Sequence, residues 1–280
     1  MTASALVLSA APAAAAERDI TSVASRDTAA SGYTLPAKTW GFDAGLLGVN
    51  SGDAFASLGI RVGLGGGLEL GTNVAHAGVG LINLNLGWMF VDSRVLSIAA
   101  RFEPSYLHGD WMWIVSAQEL VSGLDAWILP VSVTASSFAT DWLQFDLRAR
   151  FVDSEVVGSA NGESLVFRGQ LALRQVSIDP GVRFHVLRRA SFYLRARLPL
   201  WSSIPGSASA EVILDDGVIA GGSTSGEKQV PFEQAVLCSA GARAMVGEAS
   251  FLDFSFNFGH ATEALYGSVV QPRISWETRF

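Results

Sequence analysis

Arginine and acidic residues recur at every second position in several segments of this chain. Asp146, Arg148 and Arg150 alternate with apolar residues, and Arg195 and Arg197 do the same further along. Successive side chains of a β-strand point to opposite faces, so each set lies on one face of its strand. A guanidinium binds carboxylates and other oxyanions through paired hydrogen bonds. The spacing therefore predicts a charged face that either pairs with itself or attracts anions.

The candidate residues for solute selectivity are ionisable and share this inward parity along their strands. They are Arg101, Glu103, Asp146, Arg148, Arg150, Arg183, His185, Arg195, Arg197, Arg243 and Asp253. The arginines and the histidine between positions 148 and 197 fall on three successive predicted strands, where they form a basic stripe. Tracks of arginine select anionic solutes. The alternative is that arginine–carboxylate pairs fill the interior and hold its shape.

The end of the chain shows most clearly which elements carry these residues. Side-chain character changes at every step there, with one face apolar and the other polar. The apolar face holds Val270, Pro272, Ile274, Trp276, Thr278 and Phe280, and the polar face holds Gln271, Arg273, Ser275, Glu277 and Arg279. One face suits lipid and the other suits water, which is the pattern of a membrane-spanning β-strand.

The same alternation repeats from about residue 39, and we count twelve strands. Short connections near residues 65–67 and 92–94 alternate with long ones at 106–124 and 203–230. Bacterial barrels have short periplasmic turns, longer extracellular loops and an even strand number. The fold predicted is an all-β, transmembrane, antiparallel up-and-down β-barrel. Ten strands result if the second and third form one element, and fourteen if a hairpin within 203–230 joins the wall.

Two local features refine this prediction. In the eighth strand the apolar parity switches near Arg174 and Gln175, which suggests a β-bulge. Within the longest connection, Asp215, Asp216 and Gly217 separate two apolar runs and predict a hairpin that projects beyond the membrane.

Composition agrees with a barrel and divides the chain into three parts. The chain is 49% hydrophobic with a mean hydropathy of +0.33, but it has no apolar run of the length that a membrane helix needs. Residues 1–16 resemble what remains of a secretory signal peptide, 17–37 form a polar periplasmic lead-in, and 38–280 form the barrel. The net charge of −7 argues against a nucleic-acid partner. A single cysteine, Cys238, excludes an intrachain disulfide.

Residues 38–280 resemble the outer-membrane β-barrel superfamily of Gram-negative bacteria. The resemblance is carried by the alternating strands and by the terminal run from Trp276 to Phe280. It implies a location in the bacterial outer membrane, contact with its lipid, and recognition of Trp276 and Phe280 by the barrel-assembly machinery. It is specific for the architecture and not for an activity.

Histidine placement gives little support to an enzyme. Lipid hydrolases with this architecture carry a Ser–His–acid type of site, in which a serine closely follows the histidine. None of His76, His108, His185 and His260 has a serine within two residues. His108 with Asp110, or His260 with Glu263, would be an isolated metal contact at most. No nucleotide-binding, zinc-protease or nucleophile-elbow motif is present, so we predict no catalytic site, metal or cofactor.

The predicted function is a narrow passive channel for small, anionic solutes. A closed structural or adhesion-type barrel is the alternative, with extracellular loops that bind a partner or belong to an envelope complex. A lipid hydrolase is a third and weaker hypothesis.

Overall fold

A computed structural model describes most of the predicted barrel. It covers residues 32–48, 54–77, 80–93, 95–108, 124–140, 142–161, 165–187, 189–214, 217–229, 236–260 and 268–280. The predicted signal peptide, most of the lead-in and most of the loop at 106–124 lie outside these residues.

Fifteen β segments account for most of the described residues. They are β1 (Trp40–Gly48), β2 (Ala54–Gly65), β3 (Leu68–Asn73), β4 (Leu81–Asn83), β5 (Asn85–Asp92), β6 (Leu96–Phe102), β7 (Ser105–His108), β8 (Asp125–Thr140), β9 (Leu143–Asn161), β10 (Leu165–Leu187), β11 (Ala190–Leu214), β12 (Gly217–Gln229), β13 (Leu237–Met245), β14 (Ser250–His260) and β15 (Ser268–Arg279). One short helix, α1 (Val74–Ala77), follows β3. No helix in these ranges is long and apolar enough to cross a membrane.

The segments form one closed antiparallel sheet. Successive strands of the wall are neighbours in the sheet, and the first is also paired with the last. β1 pairs with β15 from Gly41 opposite Arg279 to Leu47 opposite Arg273. Three wall strands are each made of two segments: β4 with β5, β6 with β7, and β12 with β13, which both pair with β11. The described wall therefore has twelve strands, as predicted.

The outer face of the wall is apolar. Phe192 and Phe145 are 54% and 49% exposed, and apolar side chains on the other strands are exposed to a similar degree. Lipid solvates apolar side chains, but it cannot form hydrogen bonds with backbone amides and carbonyls. A sheet is therefore stable in lipid only when it has no free edges. The alternation predicted for the terminal strand is confirmed, because Ile274 and Trp276 are exposed whereas Glu277 is buried.

The strands β9 to β11 are longer than the rest. β11 has 25 residues and β10 has 23, whereas β1 has 9. A tilted strand crosses a bilayer in about 9–11 residues, so these strands extend well past the membrane. β11 and β12 pair up to Leu214 opposite Gly217, which confirms the predicted hairpin.

A bulge occurs close to the predicted position, but its extra residue belongs to β11 and not to β10. β10 pairs with β9 without a register shift from Val166 to Phe184, so Arg174 and Gln175 are in regular strand. The shift occurs between β10 and β11 at Val176 and Ser177, where Leu200 is the extra residue of β11. The apolar residues before the switch, Leu171 among them, therefore face the barrel interior and not the lipid.

Ion pairs fill the interior near the end that carries the short turns, which is periplasmic in bacterial barrels. The Glu277 carboxylate accepts hydrogen bonds from Arg243 at 2.6 Å, Arg279 at 2.9 Å and Arg61 at 3.1 Å. Arg61 also lies 3.6 Å from Glu69, which in turn accepts a hydrogen bond from Arg101 at 3.0 Å. This Glu277 network joins strands that are distant in sequence but lie around one barrel end.

We expect Glu277→Gln to lower the free energy of unfolding by about 3–5 kcal/mol, because it leaves three buried guanidinium groups around a neutral amide. Urea unfolding of the refolded barrel in lipid vesicles, followed by tryptophan fluorescence, measures this change. Asp153→Asn is the matched control, since its partner Arg174 is 51% exposed and such pairs contribute less than about 1 kcal/mol. Equal effects of the two substitutions would contradict the prediction.

Candidate functional site: the charged lumen

Four residues of the predicted basic stripe lie together, two on β9 and two on β11, on either side of β10. The other two, Arg183 and His185 of β10, lie nearer the turn into β11, so the stripe from here on means the four arginines. In the register of the sheet, Arg148 of β9 stands opposite Asp179 of β10, and Arg150 stands opposite Ser177. On the other side of β10, Arg195 of β11 stands opposite Gly181. All of these residues share the interior face because cross-strand partners point the same way. The structure therefore brings Arg148, Arg150 and Arg195 together, and Arg197 joins them through Asp179.

A carboxylate lies at the centre of this stripe. The two Asp179 oxygens lie 3.4 Å from the Arg197 guanidinium, and Arg148 donates a hydrogen bond of 3.1 Å to the Thr134 hydroxyl. Glu103 interacts electrostatically with both Arg148 and Arg150. On this face, four guanidinium groups lie near the two carboxylates of Asp179 and Glu103.

Tyr193 connects the stripe to the next layer of the interior. The Arg195 guanidinium lies 4.7 Å from the centre of the Tyr193 ring, and that of Arg183 lies 5.4 Å from it. A cation over an aromatic face is held by the ring quadrupole. Space for the Arg195 side chain exists because Gly181 has no Cβ, which would lie 2.9 Å from Arg195 Cγ. Tyr193 was not a predicted site residue, although its parity places it inward.

The remaining predicted site residues lie nearer the periplasmic end and are engaged with specific partners. Arg101 and Arg243 belong to the Glu277 network. Asp146 accepts hydrogen bonds from Ser136 and Gln144, and Asp253 accepts one of 2.8 Å from the Tyr193 hydroxyl. His185 Nε2 lies 3.2 Å from the Gln144 side-chain oxygen. The candidate set therefore divides into the stripe and a structural layer below it.

The last residues of the predicted lead-in lie inside the barrel. Tyr33, Thr34 and Leu35 are 4%, 6% and 2% exposed. The Leu35 amide donates to Glu69 at 2.8 Å, and Arg101 donates to the Tyr33 carbonyl at 2.7 Å. The Gly32 amide donates to the Ser136 hydroxyl at 2.8 Å. Residues 32–36, here called the inner segment, thus occupy the periplasmic end of the lumen along β2 to β8.

A glycine in the wall makes room for the inner segment. A Cβ at Gly63 would lie 1.9 Å from the Pro36 carbonyl oxygen and 2.7 Å from that of Leu35. The Lys38 amide also donates to the Gly63 carbonyl at 2.8 Å. Sequence reasoning missed this placement, and the only signal for it was the presence of two large side chains, Tyr33 and Leu35, in an otherwise small and polar segment.

His108 lies at the end of β7 and contacts an acidic residue of β8. His108 Nδ1 lies 2.5 Å from an Asp125 carboxylate oxygen, which also accepts a hydrogen bond of 2.9 Å from the Tyr106 hydroxyl. Asp110 and Glu263, which were considered as possible metal contacts of His108 and His260, lie outside the described residues. Within the described ranges, no group of three or more His, Cys, Asp or Glu side chains could hold a metal ion.

The predicted assembly residues face the lipid. Trp276 is 44% exposed and Phe280 is 73% exposed. The Phe280 amide donates to the Trp40 carbonyl at 2.9 Å, and the Trp40 amide donates to the Phe280 carbonyl at 3.0 Å, so the two chain ends of the barrel meet. Recognition of these residues by the assembly machinery stays a prediction.

A closed antiparallel barrel with an apolar outer face and a charged interior is a transmembrane β-barrel of the bacterial outer-membrane type. No family model and no curated protein matches the chain. Among solved structures it is similar to the CymD monoaromatic hydrocarbon channel, with 10% identity, a TM-score of 0.46, and 94% of this chain and 92% of that chain covered.

Two further structures show a comparable likeness. The Pseudomonas putida toluene transporter TodX has 10% identity and a TM-score of 0.42, with 86% of this chain and 88% of that chain covered. The NanC porin has 9% identity and a TM-score of 0.43, with 85% of this chain and 98% of that chain covered. At these identities the likeness concerns the barrel architecture alone.

We expect Gly63→Val to displace the inner segment, because the new side chain collides with backbone that cannot rotate away. The readout is the labelling rate of Tyr33→Cys by a charged maleimide, in a Cys238→Ser background. We expect the rate to rise about tenfold or more as the thiol leaves its buried position. Gly222→Val is the control, since a Cβ there meets no atom within 4 Å. Unchanged labelling in Gly63→Val would contradict the placement of the segment.

Proposed function

We propose that this protein is a passive outer-membrane channel for small, anionic solutes. The observation that carries the proposal is the placement of four guanidinium groups, those of Arg148, Arg150, Arg195 and Arg197, together on the interior face. Such a row of guanidinium groups offers an anion successive partners along the barrel axis, so that each contact is weak and is exchanged for the next. The proposed mechanism is diffusion without a cofactor and without a catalytic step.

Electrostatics favours this role for the stripe over a purely structural one. In the Glu277 network, carboxylates lie between arginines at hydrogen-bond distances of 2.6–3.1 Å. In the stripe, the Arg197–Asp179 contacts are 3.4 Å long, and the Arg197 side chain is 32% exposed. A guanidinium that is partly hydrated and loosely paired can exchange its partner for a passing anion at small cost.

The inner segment determines how wide the path is at the periplasmic end of the lumen. It occupies part of the periplasmic end of the lumen, beside the Glu277 network, so a solute that has passed the stripe meets the inner segment next. We propose that the segment narrows the exit and that its displacement widens the path. Contact of the outer face with membrane lipid and delivery by the assembly machinery through Phe280 belong to the same proposal.

A closed structural barrel is the second candidate function. The buried inner segment and the Glu277 network favour it, because both fill the lumen with fixed protein groups. In that case the extracellular ends of β8 to β12 would act as a surface for a partner.

We expect the refolded protein to form steady single channels in planar bilayers with a reversal potential that shows anion preference. The triple variant Arg148→Ala/Arg150→Ala/Arg195→Ala should shift the reversal potential to that of an unselective or cation-preferring pore, because it removes three of the four positive charges on the stripe. Gly63→Val should raise the conductance by displacing the inner segment.

Arg168→Ala/Arg174→Ala is the matched control. Both residues lie on β10 but opposite Ser159 and Asp153 of β9, on the face that points away from the lumen. Selectivity should therefore be kept in this variant. A stably folded wild-type protein that never conducts, with Gly63→Val equally silent, would refute the channel and favour the structural barrel.

A further inference from the structure

The polarity of the sheet inverts where β9 and β10 leave the membrane. Nearer the periplasm, Phe151 and Val176 point outward to lipid while Arg150 and Ser177 point inward. The β9–β10 pairing continues without a register shift, so Leu173 and Leu171, which have the same parity as Ser177, also point inward.

The outward face at the same level is polar. There Arg174 lies 3.4 Å from Asp153, and the Gln170 amide donates to the Glu155 carboxylate. A face with an ion pair and a charged hydrogen bond is in water and not in lipid. This part of the barrel is therefore outside the bilayer, and its apolar side is the concave one.

A cavity of about 610 Å³, broadly open to solvent, lies against this concave face. Leu124, Val156 and Leu171 supply its large apolar side chains, and Gly158, Gly169 and Gly206 lie between them on three neighbouring strands. A Cβ at Gly158 would lie 3.4 Å from the Leu124 side chain. Because glycine has no Cβ, this space beside Leu124 stays open. No charged side chain is among the residues that line the described cavity.

We propose that this cavity is a binding site for small, uncharged, apolar molecules on the extracellular side of the barrel. Its volume lies within the range of about 300–1,000 Å³ that is usual for small-molecule sites, which are lined mainly by apolar groups with few polar ones. An ion would lose its hydration here without gaining a charged partner. A membrane lipid is disfavoured because the surrounding wall is in water.

The site is separate from the basic stripe. Leu171 lies six residues before Ser177, the partner of Arg150, which places it roughly 20 Å away along the strand. A small molecule in the cavity therefore does not touch the stripe, and the proposal does not depend on anion passage.

The test uses N-phenylnaphthylamine, a neutral probe whose fluorescence rises in apolar surroundings, with the full chain in lipid nanodiscs. Empty nanodiscs give the lipid background. Wild-type protein should add a saturable signal above it. Gly226→Leu should weaken binding about tenfold by removing about 60 Å² of apolar contact for the probe. A Cβ at Gly226, one of the lining residues, meets no atom within 4 Å, so this variant should fold.

Ser223→Leu adds the same side chain to β12 at the opposite parity and should bind as wild type does. Leu171→Ser, which makes the concave face polar without filling it, should also weaken binding. The triple arginine variant should bind normally, which separates this site from the channel. Absence of saturable binding by the wild-type protein would mean that lipid or another part of the chain fills the cavity, and would overturn the assignment. Equal weakening by Gly226→Leu and Ser223→Leu would overturn it as well.

Discussion

The ladder between β1 and β15 is the interaction on which the rest of this structure depends. Without it the sheet would have two free edges, and each would expose unpaired backbone groups to lipid at a cost of several kcal/mol per group. Closure runs from Leu47 opposite Arg273 down to the paired amides and carbonyls of Trp40 and Phe280. Once the sheet is closed, one face meets lipid and the other encloses the lumen. At the level of the membrane, the charged side chains must therefore point into the lumen.

Two kinds of charged interior result from this enclosure. Near the periplasmic end, Glu277 and Glu69 each lie among arginines, and the inner segment completes the hydrogen bonds of Arg101 and Glu69. Further along the lumen, the arginines of the stripe lie near Asp179 and Glu103. A buried charge is stable only with a close partner, whereas a hydrated one tolerates a loose partner. The same residue type therefore holds the wall together through close pairs at one depth and has looser contacts at another.

The solvent outside the wall also changes along the barrel axis. Where lipid surrounds the barrel, apolar residues such as Phe145 and Phe192 face outward. Where water surrounds it, Arg174 and Asp153 face outward and the apolar residues turn to the concave side. A continuous ladder between β9 and β10 carries both arrangements. This gives the protein an apolar surface on the extracellular side of a polar lumen, which is a combination that membrane crossing by itself does not require.

The sequence by itself determined which residues share a face, because the period of a strand is two and is a local property. That was enough to predict twelve strands, the outward Trp276, the inward Glu277 and the grouping of Arg148, Arg150, Arg195 and Arg197. Only the tertiary structure decided which groups distant in sequence meet, such as Arg61 with Glu277, 216 positions apart. It also decided that Leu35 enters the lumen and that Leu171 faces inward. The alternation of polar and apolar residues cannot supply these facts. It is the same whichever face of the sheet meets water, and it carries no information about partners that are distant in sequence.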